Sequence, residues 1–168
     1  MTGVQTCALP ICQQLSIQTG HSSTINDLEF APDGNILVSC GADNKIILWD
    51  MISSKQMNIL AGHTDIVNQI TIHPEKKIIA SASDDKTVKI WEYPSGKVIK
   101  TYNFFPDKVK SICFSPDGKK IACGSSSVYI LDFESGDYET LPFNAKKFFN
   151  SLDYSDDGKL LAFGGRNQ

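Results

Sequence analysis

No apolar run in the 168 residues approaches the roughly 18–20 that a membrane-crossing helix needs. Basic residues are not in excess: 16 Lys and Arg stand against 19 Asp and Glu, for a net charge of −3. Neutralising a phosphate backbone takes surplus positive charge, so nucleic acid is disfavoured as a partner. The five cysteines, Cys7, Cys12, Cys40, Cys113 and Cys123, form no C-x-x-C pair, so neither a zinc ribbon nor a thioredoxin-like motif is written here. Their odd number and irregular spacing give no disulfide framework, and no Asn-x-Ser/Thr sequon occurs. These absences point to a reducing intracellular compartment, cytoplasmic or nuclear. The chain also lacks a P-loop, a G-x-G-x-x-G turn and a G-x-S-x-G elbow. Asp84-Asp85 begins no calcium loop, because neither the alternating acid ligands nor a distal Glu follows. No cofactor, metal or catalytic residue is therefore expected. Helical periodicity is missing throughout, which removes the all-α and α/β classes.

What remains is globular in composition, with 41% hydrophobic and 21% charged residues. The first residues stand apart. MTGVQTCALPI, residues 1–11, resembles the translation of a sequencing-library adapter, and residues 1–12 share no pattern with the rest. They are read as a non-native or irregular segment and set aside.

The rest repeats. DLEFAPDG, QITIHPEK, SICFSPDG and SLDYSDDG align on Pro32, Pro74, Pro116 and Asp156, at spacings of 42, 42 and 40. Gly20-His21 and Gly62-His63 are also 42 apart, as are Trp49 and Trp91. A period of about 40–45 residues with four short strands is that of one propeller blade. Alternating or short apolar runs bounded by Gly, Pro, Asp and Asn read as strands joined by hairpins. They fall at 24–30, 36–40, 45–50 and 55–60, then at 66–73, 78–82, 87–92 and 97–101. A third set lies at 108–115, 120–124, 127–132 and 137–143, and a partial set at 148–154 and 160–164. Residues 13–19 match the last strand of a repeat.

The GH dipeptide, the PDG turn, the S-x-x-x-D run and the WD or WE end, with 28 residues from His to Trp in both copies, resemble the WD40-repeat β-propeller family. The resemblance covers residues 13–168 and weakens in the last two repeats. It implies an all-β partial propeller of four-stranded antiparallel blades, with 13–19 the outer strand of a missing blade and 20–168 the propeller fragment. The blades run 24–60, 66–101, 108–143 and, in part, 148–165. Three and a half blades fall short of the four to eight of a closed ring. An open arc within a longer product is expected.

The resemblance assigns His21, Ser39, Asp43 and Trp49, and again His63, Ser81, Asp85 and Trp91, to a structural hydrogen-bond network. Ser, His and Asp are also the parts of a hydrolase triad, but two copies at the repeat period belong to a scaffold rather than to one active site. The third repeat replaces His with Phe105, Ser with Cys123 and Trp with Leu131, and loses the aspartate. That blade is expected to rest on Ile112, Phe114, Ile121, Val128 and Ile130, with Cys123 as a small buried hydrophobe. His73 reads as a surface histidine at a strand end.

The family usually docks other proteins at the channel mouth on the GH side. Carried over, the contact positions are Thr24, Asn26 and Ala42, then Ile66, Asn68 and Asp84; Lys108, Lys110, Phe148 and Asn150 follow by period alone. The resulting reading is a non-catalytic scaffold or adaptor for protein or peptide partners. Two alternatives stay open: a regulatory or sensor propeller of a longer enzyme or ATPase, and recognition of a lipid headgroup or nucleic acid. The stretch KVIKTYNFFPDKVK, with its lysines and aromatics, is the feature that favours the second.

Overall fold

The computed structural model describes residues 3–8, 13–141 and 147–167. All regular structure in them is β. β1 (Gly3–Ala8) pairs antiparallel with β2 (Gln13–Thr19) as a two-stranded sheet. Part of the segment set aside as non-native or irregular is thus a regular strand. Val4 explains its position, because it packs against Leu37, Ile47 and Trp49 on the first face of the next sheet. The remainder of residues 1–12 lies outside the described residues.

Three four-stranded meanders follow. The first is β3 (Ile25–Phe30), β4 (Ile36–Gly41), β5 (Lys45–Asp50) and β6 (Lys55–Ala61). The second is β7 (Val67–Ile72), β8 (Ile78–Ser83), β9 (Val88–Glu92) and β10 (Lys97–Tyr102). The third is β11 (Ser111–Phe114), β12 (Lys120–Gly124), β13 (Val128–Asp132) and β14 (Tyr138–Thr140). β15 (Lys147–Tyr154) and β16 (Leu161–Asn167) form a last two-stranded sheet. All pairings are antiparallel and between chain neighbours, the hallmark of a blade. The two-stranded sheets are not joined to each other, so the arc is open. β11 and β14 are shorter than expected, and residues 142 and 143 of the expected outer strand lie outside the described residues.

Turn chemistry sets the blade ends. In PDG the aspartate carboxylate accepts the N–H two residues on, at 2.9 Å for Asp33 and Asn35 and 3.0 Å for Asp117 and Lys119. The second blade has HPEK instead. There the His73 Nδ1 accepts the N–H groups of Glu75 and Lys76, each at 3.0 Å. This histidine is not on the surface; it is 2% exposed. Its ring lies edge-on to Phe114 and tilted against Phe133 of the third blade, and it covers Gly118, where a methyl group would overlap the imidazole.

The core is a series of layers between blades. Val38, Ile46, Leu48 and Leu60 of the first blade meet Val67, Ile70, Ile79 and Trp91 of the second. Ala80, Val88 and Ile90 of the second meet Ile112, Ile121, Cys123 and Leu131 of the third. Ala122, Val128 and Ile130 then meet Phe149 and Leu152. Each fully buried aliphatic or aromatic side chain here contributes about 1.5–3 kcal/mol.

Polar straps supplement these layers along the innermost strands. Asp27 Oδ2 accepts from Ile70 N and Glu29 Oε1 from Ile72 N, both at 3.1 Å. One repeat later, Gln69 Oε1 accepts from Ile112 N at 2.9 Å and Thr71 Oγ1 from Phe114 N at 3.4 Å. These N–H groups lack a strand partner on that side, and a buried N–H left unpaired is costly. The oxygens of the preceding blade satisfy them and fix the register between blades.

Candidate functional site

Two stations with the same His–Asp, His–Ser and Trp–Ser contacts lie on the GH side of the first two blades, the second joined also by Thr87. His21 Nδ1 meets Asp43 at 2.9 Å and its Nε2 meets Ser39 Oγ at 2.8 Å. Trp49 Nε1 donates to the same Ser39 Oγ at 2.8 Å. In the second blade His63 Nδ1 meets Asp85 Oδ2 at 2.7 Å, Nε2 meets Ser81 Oγ at 2.7 Å, and Trp91 Nε1 donates to Ser81 at 2.8 Å. A carboxylate only accepts, so Nδ1 carries the ring proton in each case. Nε2 then accepts the serine O–H, and the serine oxygen takes the indole proton. Every side-chain polar group of the station is matched, and the aspartate also accepts a backbone N–H of the loop, Ser22 at 2.9 Å and Thr64 at 3.1 Å.

The local sequence forces this arrangement. The glycine of GH lies against the tryptophan ring; a Cβ would stand 2.8 Å from Trp49 at Gly20 and 3.0 Å from Trp91 at Gly62. The aspartate sits in a tight hairpin whose tip, Asn44 or Lys86, has a φ of 65° or 66°. Burial alone would raise the Asp85 carboxyl, but hydrogen bonds from Thr87, His63 and Thr64 outweigh it and hold it below the ordinary range. Asp43 is lowered in the same way, with Ser22 and His21 opposing burial. Burial also keeps His63 below the ordinary imidazole range, against the pull of Asp85.

Ser–Nε2 and Nδ1–Asp contacts are those of a hydrolytic triad. Here the would-be nucleophile Ser81 is 0% exposed and its oxygen already accepts from Trp91. A substrate carbonyl has no route to it. The third blade has no such station. Phe105 stacks with Phe104 at 4.5 Å and meets Tyr129 edge-on at 5.0 Å, while Cys123 and Leu131 are buried. Among the described residues no group of His, Cys, Asp and Glu could hold a metal ion.

The ten rim positions divide into two kinds. Thr24 is exposed, and Ala42 and Ile66 are half-buried. Lys108 and Lys110 are part-exposed, and on β15 Phe148 is half-buried and Asn150 exposed. Asn26, Asn68 and Asp84 make hydrogen bonds within the chain. Asn26 Nδ2 donates to Val67 O of the next blade at 2.8 Å, and Asn68 Nδ2 donates to Val109 O, also at 2.8 Å. Both span the gap between blades, where innermost carbonyls lack a strand partner. Asp84 is bound by Lys108 Nζ at 2.7 Å, Lys110 Nζ at 2.6 Å and Asn68 Nδ2 at 2.7 Å. Burial works to raise this carboxyl, but Lys108, Lys110 and Asn68 prevail and lower it. Asn26, Asn68 and Asp84 thus each help to hold one blade to the next, Asn26 from an exposed position.

Other residues of the site carry no motif. Ser83 Oγ donates to Asp65 O and Ser125 Oγ to Asp107 O, both at 3.1 Å. The pairs are related by the 42-residue shift, and that recurrence is the signal that could have found them. Ser111 Oγ donates to Phe149 O at 2.9 Å and ties the third blade to β15.

Three stretches, residues 12–50, 54–92 and 96–132, match the family described as WD domain, G-beta repeat. A search of curated protein sequences finds no match. Repeats of this family generally mediate protein–protein interaction and scaffolding. No helix among the described residues is long and apolar enough to cross a membrane. With three matched repeats, each spanning the outer strand of one sheet and the three inner strands of the next, and two carrying the His-Ser-Asp-Trp station, the chain belongs to the WD40 repeat family.

Proposed function

We propose that the chain is a non-catalytic adaptor module that captures a protein or peptide partner on the channel-mouth rim. The side chains offered to that partner are Thr24, Ala42, Ile66, Lys108, Lys110, Phe148 and Asn150. One observation carries the reading: the chemistry-bearing side chains of the GH face, His21, Ser39, Asp43, His63, Ser81 and Asp85, are consumed in sealed internal networks. What is left outward is a row of small, apolar and cationic groups on successive blades, the composition of a recognition surface. Rigid β stations beneath hold that row in place, so binding orders little further backbone.

Selection of binding peptides from a displayed library tests this. Ile66→Asp on the rim should abolish binding of the selected peptides, while Ile99→Asp on the exposed outer strand β10 should leave it intact. The reverse outcome, or equal loss in both, refutes a rim site.

A further inference from the structure

Resting on the rim as the docking face, the geometry points to the chemistry of the partner: we propose that a single acidic side chain of a partner protein docks over Asp84, between the ammonium groups of Lys108 and Lys110. The two lysines converge on one carboxylate, at 2.7 and 2.6 Å. They therefore stand near enough to each other for a second carboxylate to bridge them. The vertical order matters. Asp84 is 4% exposed in its side chain, whereas Lys108 is 46% and Lys110 28% exposed. The acid is the floor and the ammonium groups are the lip.

Each ammonium has three donors. Lys108 Nζ gives one to Asp84 Oδ2, and Lys110 Nζ gives one to Asp84 Oδ1 and a long one of 3.5 Å to Asn68 Oδ1. Each ammonium keeps donors beyond those given to Asp84, with Asp65 and Asp107 as the further charges near Lys108. The adjacent Asn68 amide does not compete for the ligand, because its two N–H groups go to Asp84 Oδ1 and Val109 O. Lys86 is also engaged, on Pro106 O at 3.0 Å.

The surroundings set the size of the ligand charge. Asp65 and Asp107 lie close enough to act on Lys108, and both carboxylates are fixed by backbone N–H groups of Ile66 and Lys108. This acidic border disfavours an extended polyanion, such as a lipid surface or a nucleic-acid backbone, more strongly than a single carboxylate. Ile66, whose carbonyl accepts from Asp84 N at 2.9 Å, supplies an apolar neighbour. The fitting ligand is an Asp or Glu next to an apolar residue in an extended peptide.

The test is selection from a random dodecapeptide display library on the full chain, then anisotropy titration of a synthetic peptide from the enriched pool. Enriched peptides should carry Asp or Glu beside an apolar residue. Lys108→Ala with Lys110→Ala should weaken binding about 10-fold, and Asp84→Asn, which removes the competing negative charge, should tighten it about 3-fold or more. Opposite signs are the signature, since a merely structural clamp would weaken in both. If the double alanine variant does not fold, by circular dichroism, the sign for Asp84→Asn decides alone. Enrichment of peptides without acid, insensitive to the lysines but lost in Ile66→Asp, overturns the acidic ligand and leaves the rim. Enriched peptides insensitive to every rim variant overturn the rim itself. Lysine-dependent binding of phosphatidylserine vesicles or single-stranded DNA, with no acidic peptide bound, overturns the proposal in favour of phosphate.

Discussion

Glu29 offers the sharpest quantitative test of the straps between blades. Its carboxyl is pushed up from 4.5 to about 7, mainly by burial and further by the charge of Asp27, against the opposing hydrogen bond from Ile72 N. The folded chain therefore holds this proton more tightly than the unfolded chain does. The stability it contributes is present in full below pH 4.5 and is lost as pH rises toward 7. Above that pH the native state carries a partly desolvated charge. Each pKa unit is worth about 1.4 kcal/mol, giving an upper bound near 3.4 kcal/mol; partial exposure screens this to about 1–2 kcal/mol. Glu29→Gln keeps an oxygen for Ile72 N and deletes the charge. It should stabilise the protein by about 1–2 kcal/mol at pH 8, a rise in Tm of roughly 2–8 °C, and by almost nothing at pH 4.5. The next repeat already uses neutral acceptors, Gln69 and Thr71, at the positions of Asp27 and Glu29. Urea denaturation followed by fluorescence of the two buried tryptophans, Trp49 and Trp91, reads the change. The lowered carboxyls Asp43, Asp84 and Asp85 act in the opposite sense, losing their contribution only as pH falls below 3.8. A Glu29→Gln protein less stable than wild type at pH 8, or equally shifted at both pH values, refutes the reasoning.

Ser81→Ala leaves the Trp91 N–H and the His63 Nε2 without a partner, and should lower stability by about 1–3 kcal/mol in urea; a loss under about 0.5 kcal/mol would refute the hub role. Gly118→Ala meets both a φ of +69° and the His73 ring, so a loss of about 2 kcal/mol or more is expected in the urea midpoint. Lys86 holds a φ of 66° where the preceding repeat has Asn44 at 65°; Lys86→Asn should gain about 0.5–1 kcal/mol, seen as a higher Tm.

Legibility in the sequence follows a physical divide. Whatever lies within one blade repeats as letters, so the PDG turns, the strands and the His-Ser-Asp-Trp stations could be aligned by eye. Contacts between blades repeat as roles instead. Asp27 and Gln69 do one job with different residues, as do Glu29 and Thr71, because the N–H opposite asks only for an oxygen. Asn26 and Asn68 repeat as letters yet act between blades. Their recurrence marks a position shared by the first two blades, but a single repeat does not reveal the carbonyl across the gap. His73 reads as a surface residue in sequence because its cover, Phe133 and Gly118, comes from the third blade. Val4 was set aside with a segment that has no pattern, and only the packing against Trp49 brings it into the core.

The third blade shows why an all-polar station can be exchanged as a set. A lone His, Ser or Trp N–H left behind by one substitution would be buried without a partner, so intermediate states are costly. Phe105, Cys123 and Leu131 remove every donor and acceptor at once, and Phe104, stacked on Tyr138 at 3.9 Å, fills the space with apolar contact. One duty of the lost histidine remains, which is to pin the loop that leads into the blade. The second blade performs it from outside. Ser83 O accepts from Val109 N at 3.0 Å, and Asp84 binds Lys108 and Lys110 on either side of that residue. The first pair of blades has Ala42 and Ile66 at the positions of Asp84 and Lys108, and there the loop is held by His63. Charge across the gap appears where the internal station is gone, and in taking over a structural duty it leaves two ammonium groups on the rim.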